Sequence, residues 1–405
     1  MRISTLSAAA ASAVLIAFPL AANADPGASG GKPNTHGSFT YAVYGDAPYG
    51  QNPTDNSETL ATPAFIAAVN ADPGVSTVVH VGDIHSGKQN CTEAYDRQIA
   101  GLWTRFADPL VYTPGDNEWT DCHKKAQGGG VYNSATGQID YVKDSNGNLA
   151  DYAGGDPLAN LALVRSIFFP APGATLGSGT LQTISQATAY DRAHPEDKAY
   201  VENTIWQRKG FVFVTLNVPG GSNNDTDIWY GTPTMSPQQA AETQQRTAAD
   251  LRWLDQAFDI ARATDAQGLV VVQQADMWDL DFPPASDNSH LTQYEPLVAS
   301  LAAHTAAFGK PVLALVGDSH IYRSDNPLQQ GAPCTGDDDP ARTNVCSYGG
   351  WTSHPYYDVA NFHRVVVHGS TAPLEYLKLV MTPGGHQATT ATTFGPFSWS
   401  RQMEG

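Results

Sequence analysis

The chain has 405 residues, 41% hydrophobic and 15% charged, with 40 acidic against 22 basic residues and a formal net charge of −18. Composition and length are those of a globular protein of one large or two ordinary domains. The acidic excess, with no local basic patch, argues against a nucleic-acid backbone or an anionic lipid surface as partner.

The first 24 residues stand apart. Arg2 precedes the apolar run AAAASAVLIAFPLAA, and Ala22-Asn23-Ala24 forms a small-x-small cleavage site before Asp25. This reads as a secretory signal, too short for a comfortable membrane span. The expectation is a periplasmic or extracellular protein with no membrane anchor after cleavage. Residues 25–37 (DPGASGGKPNTHG) form a flexible lead-in.

From Phe39 the chain alternates short β-branched runs with helical stretches. Strands are predicted in FTYAVYGD (39–46), STVVHVGD (76–83) and PLVYTPGD (109–116), with a helix over about 92–106. Between about 124 and 200 the pattern weakens through GGG, SATGQ, DSNGN and AGGDP, an insertion with long loops and a helix near 159–169. FVFVTLN (211–217) resumes the strands. Ser236-Pro237-Gln238-Gln239 is a helix start with an N-cap serine, Pro at N1 and Gln at N3. After it Leu251, Leu254, Phe258 and Ala261 make a core face at helical spacing. Then come GLVVVQQAD (268–276), a helix from about His290 to Ala307 stopped at Gly309, PVLALVGD (311–318), and RVVVHG (364–369) with EYLKLVM (375–381) as a closing pair. The Thr-rich stretch 386–405 is expected to be a peripheral tail on a domain covering 38–385. Strands alternating with helices predict an α/β architecture.

Four cysteines in an exported chain favour disulfides over a zinc cluster, and no paired CxxC occurs. Three pairings are open, of which the local one, Cys91–Cys122 and Cys334–Cys346, is the expectation.

Four strands end in the same dipeptide: Gly45-Asp46, Gly82-Asp83, Gly115-Asp116 and Gly317-Asp318. A fifth ends Gln273-Gln274-Ala275-Asp276. One Gly-Asp is only a good turn. Four of them at one sheet edge, where ligands of open α/β sheets gather, crowd several carboxylates together. Two carboxylates about 4 Å apart repel by roughly 4 kcal/mol at an effective dielectric of 20, so the group must bind protons or hold cations.

The ordered set Gly45-Asp46, Gly82-Asp83, Gly115-Asp116-Asn117-Glu118, Gln273-Gln274 and Gly317-Asp318-Ser319-His320 resembles the calcineurin-like metallophosphoesterases, from about Phe39 to Pro383. The resemblance implies a four-layer α/β/β/α sandwich with two metal ions at the strand ends. By it, Asp46, Asp83, Asp116, Gln274, Asp318 and His320 are metal ligands, Asp83 bridging. The departures are specific. Where that family has Asp-x-His this chain has Asp46-Ala47-Pro48. Asp116 and Asn117 stand in place of an asparagine and the catalytic histidine, Gln274 or Gln273 in place of a histidine, and Asp318 in place of the first histidine of Gly-His-x-His. The tyrosine that purple acid phosphatases carry three residues after the bridging aspartate is Ser86 here.

An oxygen-rich ligand set suits two ions of Mn²⁺, Mg²⁺ or Ca²⁺ better than Zn²⁺. The function implied is hydrolysis of a small phosphoester by a metal-bridging hydroxide. Asn117 cannot donate a proton as histidine does, so His85 is the first replacement as general acid and His123 the second. Arg323 is placed to pair with a phosphate oxygen. Glu118 is expected to orient Asn117 or a water, Trp119 to anchor packing, His80 to be core, and Tyr200-Val201-Glu202-Asn203 to line the site. Two rival readings are a binding protein that keeps the fold without turnover and a serine esterase built on Gly317-Asp318-Ser319.

Overall fold

The computed structural model describes residues 37–224, 227–279, 292–329, 331–332, 335–336, 357–370 and 374–403. The signal segment, the lead-in up to residue 36, Cys334, Cys346 and the first residues of the His290–Ala307 helix lie outside them.

Strand β1 (Phe39–Tyr44) shows how the layers arise. Side chains alternate across a strand. Phe39, Tyr41 and Val43 enter one apolar cluster, whereas Ala42 and Tyr44 enter another. Strands β2 (Val75–His80) and β3 (Leu110–Tyr112) divide in the same way: Val79 and Val111 join the first cluster, and Val78, Leu110 and Tyr112 the second. The second cluster is completed by Phe65, Ile66 and Val69 of α1 (Ser57–Ala71), Ile99 and Trp103 of α2 (Glu93–Trp103), and Val164 and Phe168 of α3 (Pro157–Phe168). These helices cover the outer face of the first sheet. A β4–β5 hairpin (Gly130–Asn133, Gln138–Tyr141) precedes α3 in the insertion.

A second sheet closes the first cluster from the other side. Its strands are β6 (Ile184–Ser185), β7 (Thr204–Arg208), β8 (Phe211–Thr215), β9 (Gly268–Val272), β10 (Val312–Val316), β11 (Arg323–Asp325), β12 (Thr335–Gly336) and β13 (Phe362–Val366), in the order β12-β11-β13-β10-β9-β8-β7-β6. Phe211, Phe213, Val270, Val272, Leu313, Leu315 and Val365 meet the first sheet across the inter-sheet core. Two short helices, α4 (Gln186–Ala189) and α5 (Gly220–Asn223), precede α6 (Pro237–Ala263). Helix α6 packs on β8 and β9 and against α7 (Glu295–Phe308). The result is a four-layer α/β/β/α sandwich.

Two expectations about α6 change in detail. Ser236 caps α6 by accepting the Gln239 N–H at 3.1 Å. The Gln239 side chain does not reach back as in a capping box. It donates to the Asn224 and Asp227 carbonyls and accepts from the Trp229 N–H, fastening the loop before the helix. Trp253 and Ala257 complete the buried face, while Leu251 is only half-buried.

The closing pair separates. RVVVHG forms β13 beside β10, whereas EYLKLVM forms β14 (Glu375–Met381), antiparallel to β1 in the other sheet. The expected tail supplies β15 (Thr393–Phe394) and β16 (Phe397–Met403), so the first sheet runs β15-β16-β14-β1-β2-β3. Phe397 and Trp399 face the inter-sheet core while Ser398 and Ser400 face away, a half-buried strand rather than a tail. Gly309 takes the left-handed conformation (φ 67°) that stops α7. Among the described residues no helix is long and apolar enough to cross a membrane.

Strands β1, β2 and β3 are parallel to one another, as are β8, β9, β10 and β13. Loops following both sets meet at one end of the sandwich, where Asp318 donates its N–H to Asp46 and Gln274 touches Asp83.

Candidate metal centre

At three of the strand ends the aspartate itself is held in the strained left-handed region: φ is 50° at Asp46, 60° at Asp83 and 72° at Asp318, and Gly82 before Asp83 is also at positive φ (116°). That conformation is costly for a residue with a Cβ, and aspartate is among the few that tolerate it. The preceding glycine serves a different purpose. A Cβ on Gly115 would lie 2.0 Å from Asp83 Oδ1, and one on Gly317 would lie 2.4 Å from Asp46 Oδ2. Each of these glycines leaves room for the carboxylate of a neighbouring strand end.

The carboxylates are buried and tied together by neutral donors. Asp83 Oδ2 accepts from the Tyr49 hydroxyl at 2.8 Å, from Asn117 Nδ2 at 2.8 Å and from Gln274 Nε2 at 3.3 Å. Its Oδ1 accepts the Asn117 N–H at 3.2 Å. Asp116 Oδ1 accepts from Gln274 Nε2 at 3.1 Å. Asp46 Oδ1 accepts the Asp318 N–H at 2.9 Å and lies 3.6 Å from His320 Nε2. Asp318 Oδ2 accepts the Asp276 N–H at 3.2 Å.

Burial, followed by the charge of the neighbouring acids, pushes the carboxyls of Asp46, Asp83, Asp116 and Asp318 well above the ordinary range. His320 is held down to about 4, chiefly by burial, so its imidazole is neutral at pH 7 and available as a ligand.

These residues fit divalent cations. Asp46 Oδ2 is buried without a hydrogen-bond partner. Asp46, Asp83 and His320 each offer a ligand atom, all within 4.8 Å of one another. Gly220, after β8, opens a cradle whose far side is carboxylate: a Cβ there would lie 2.5 Å from Asp116 Oδ2 and 2.6 Å from Asp318 Oδ1. Gln274 presents its nitrogen to the carboxylates while its Oε1 accepts the Gly220 N–H at 2.6 Å. It is a donor in this arrangement, and ligation through oxygen requires the amide to turn over and release Gly220. Gln273 bonds the Ala275 carbonyl instead.

The other expected residues sit elsewhere. His85 is fully buried, edge-on to Tyr95 and beside the Cys91–Cys122 disulfide, with Nε2 unpartnered and its pKa lowered to about 4 by burial. It is not within the carboxylate cluster. Arg323 is also buried, and Nη1 contacts Ser319 Oγ at 3.0 Å and Asp276 Oδ2 at 3.4 Å. Asp276 receives Arg364 as well, so this carboxylate is committed to guanidinium groups.

Glu118 does not orient Asn117. Its Oε1 accepts from the Tyr112 hydroxyl, the Gly115 N–H and the Asp83 N–H. Trp119 is fully buried under Arg246, and His80 is core, bonded to Ala47 and Gly82. Glu202 pairs with Arg165 and Asn203 with Gln186 and Asp250, so that segment braces the fold.

His123 lies in a second group with Asp121 and Asp227. There the Lys124 ammonium already spans the two carboxylates at 2.7 and 2.6 Å. His123 Nδ1 accepts the Tyr230 N–H, which leaves the proton of a neutral ring on Nε2 and disfavours ligation.

Tyr49 is the site residue that the sequence does not announce. It follows Asp46 by three residues in GDAPYG, and that spacing is the one available signal.

The Cys91–Cys122 disulfide joins the loop after β2 to the turn after β3. Its two sulfurs lie 3.3 and 3.5 Å from the Asn117 carbonyl oxygen. Closing a loop of 31 residues contributes about 3 to 4 kcal/mol in the chain-entropy model. The Cys91→Ser, Cys122→Ser double variant is expected to lose about that much in denaturant unfolding and to bind Mn²⁺ more weakly, because Asn117 and Asp116 share one turn. Unchanged Mn²⁺ affinity would separate the disulfide from the site.

No family profile matches the sequence, and no curated protein matches it. Among solved structures the chain is similar to a purple acid phosphatase, PPD1, from yellow lupin (Lupinus luteus) seeds, with a TM-score of 0.36 and 12% sequence identity over 91% of this chain and 52% of that one. The chain thus spans about half the length of that phosphatase.

Proposed function

We propose that the chain is an exported, divalent-cation-dependent hydrolase of small phosphoesters. The supporting observation is the convergence of Asp46, Asp83, Asp116 and Asp318 from both sheets on one buried locus that includes an unpartnered carboxylate oxygen. Asp46, Asp83 and His320 would hold one cation, and Asp116 and Asp318, across the Gly220 cradle, a second. The preponderance of oxygen donors favours Mn²⁺, Mg²⁺ or Ca²⁺ over Zn²⁺. When bound, such cations supply the positive charge that activates a water and takes up charge on the phosphoryl and leaving oxygens.

In the chain without a cation, Tyr49, Asn117 and Gln274 donate to Asp83, and Gln274 also to Asp116. His85 is buried beside the Cys91–Cys122 disulfide, which favours substrates whose leaving group needs little protonation. The same observation supports a second reading, a cation-binding protein without turnover.

The test is hydrolysis of bis-p-nitrophenyl phosphate by the mature protein after EDTA treatment, with Mn²⁺, Mg²⁺ or Ca²⁺ restored in turn and Asp83→Asn as control. Cation-restored activity, reduced at least about 100-fold in the variant, is the expected result. Cation binding without hydrolysis of this diester, or of a panel of mono- and diesters, would leave the binding reading.

A further inference from the structure

Asp83 Oδ2 is oversubscribed. One carboxylate oxygen offers about two lone-pair directions, yet Tyr49, Asn117 and Gln274 all donate to it. A cation ligated through Oδ2 cannot share that oxygen with all three donors. Two of them stand side by side, the Tyr49 hydroxyl and Asn117 Nδ2 being 3.0 Å apart.

Both are fixed from behind. The Tyr49 N–H donates to Glu58 Oε2 at 2.7 Å, and the Tyr49 ring meets His320 edge-on at 5.2 Å. The Asn117 backbone is tied to Asp83 Oδ1 on one side and lies against the disulfide on the other. Displacement from Asp83 therefore leaves two neutral, rigidly mounted donors aimed at the same small volume beside the carboxylates.

We propose that Tyr49 and Asn117 form a paired oxyanion site that takes a phosphoryl oxygen of the substrate, the tetrahedral oxyanion being the ligand class. This rests on the phosphoester reading above and adds Tyr49 to the catalytic residues. Neutral donors suit such a site. They stabilise developing negative charge without the desolvation cost of a buried cation, and they are already oriented before the substrate arrives. Asn117 lies in the turn after β3 and Tyr49 in the loop after β1.

The experiment measures Mn²⁺ binding, and then orthovanadate and orthophosphate binding to the Mn²⁺-loaded protein, by titration calorimetry. It compares wild type, Tyr49→Phe, Asn117→Leu and the double variant, with circular dichroism as the folding control. Tyr49→Phe keeps the ring and its packing against His320. In each single variant the expected result is Mn²⁺ affinity equal to or tighter than wild type, with vanadate affinity lowered about 10- to 100-fold. The two effects should be less than additive because the donors share one oxygen. Wild-type vanadate affinity in both single variants would overturn the proposal. So would loss of Mn²⁺ binding in Tyr49→Phe, which would make Tyr49 a strut of the cation site, and so would a wild-type loaded protein that binds no oxyanion. Oxyanion binding that depends on both residues, in a protein that hydrolyses no phosphoester, would support this site and sink the turnover reading instead.

Discussion

Metal-free protein is expected to lose stability as the pH rises above about 4, and a divalent cation is expected to restore it. Asp46, Asp83, Asp116 and Asp318 have folded-state pKa values raised above those of the unfolded chain, by burial first and by one another second. A group raised in this way favours the folded state fully below its unfolded pKa, near 4, and loses that contribution as pH climbs through the folded value. In that window the folded state binds more protons than the unfolded one, so stability falls with pH. A cation replaces the protons as the counter-charge, with proton release on binding.

At 100 times its Kd the cation should add about 2.7 kcal/mol, on the order of 5 °C in Tm. Asp83→Asn removes one of the repelling charges and one ligand. Its metal-free Tm at pH 7.5 should equal or exceed wild type, and its cation-induced shift should shrink, since Asp116 and Asp318 keep the second site. Thermal unfolding at pH 5 and 7.5, with EDTA or with 1 mM Mn²⁺ as roughly a saturating concentration, checks both. A metal-free Tm that rises with pH, or an Asp83→Asn variant with the full wild-type cation response, would refute the carboxylate-cluster account.

Much of the layer structure was legible because burial on both faces leaves a mark in sequence. FTYAVY and VLALV are apolar at nearly every position, as strands between helices and a second sheet must be. The strand-end aspartates were legible as a set because parallel strands bring their carboxyl ends to one edge.

Less legible was anything decided by a neighbour remote in sequence. Only a short connection separates β13 from β14, which suggests a hairpin, yet each pairs with a distant strand. FSWSRQM alternates correctly for a half-buried strand, but its serines and the Thr-rich approach conceal it. The purpose of the Gly-Asp glycines is hidden for a related reason. A turn needs positive φ, which sequence suggests, whereas close approach of another strand's carboxylate appears only once both sheets are assembled. Tyr49 belongs to the same class. Its hydroxyl finds Asp83 because Glu58, at the start of α1, holds the Tyr49 N–H and folds the loop back over the strand ends.

Glu118→Ala is expected to be the most destructive single substitution at the site although Glu118 is no ligand there. Its Oε1 accepts the Tyr112 hydroxyl at 2.5 Å, the Gly115 N–H at 2.7 Å and the Asp83 N–H at 3.3 Å. The two backbone donors belong to the turns that present Asp116 and Asp83. Truncation leaves three buried donors without their acceptor, each costing about 1 to 3 kcal/mol, so a loss of roughly 3 to 9 kcal/mol follows, a large part of the stability of a typical domain. Cation binding should fail with it, because the distance between Asp83 and Asp116 is set by those two bonds. Glu118→Gln separates the two effects. It keeps an oxygen for the three donors and places an amide nitrogen where Oε2 now lies buried without a partner, a cost of about 1 to 3 kcal/mol. That variant should unfold earlier in denaturant yet bind Mn²⁺ with nearly wild-type affinity. If instead it kept its stability and lost the cation, Glu118 would be a ligand, and the division between the residues that hold the metal and the residue that spaces them would have to be redrawn.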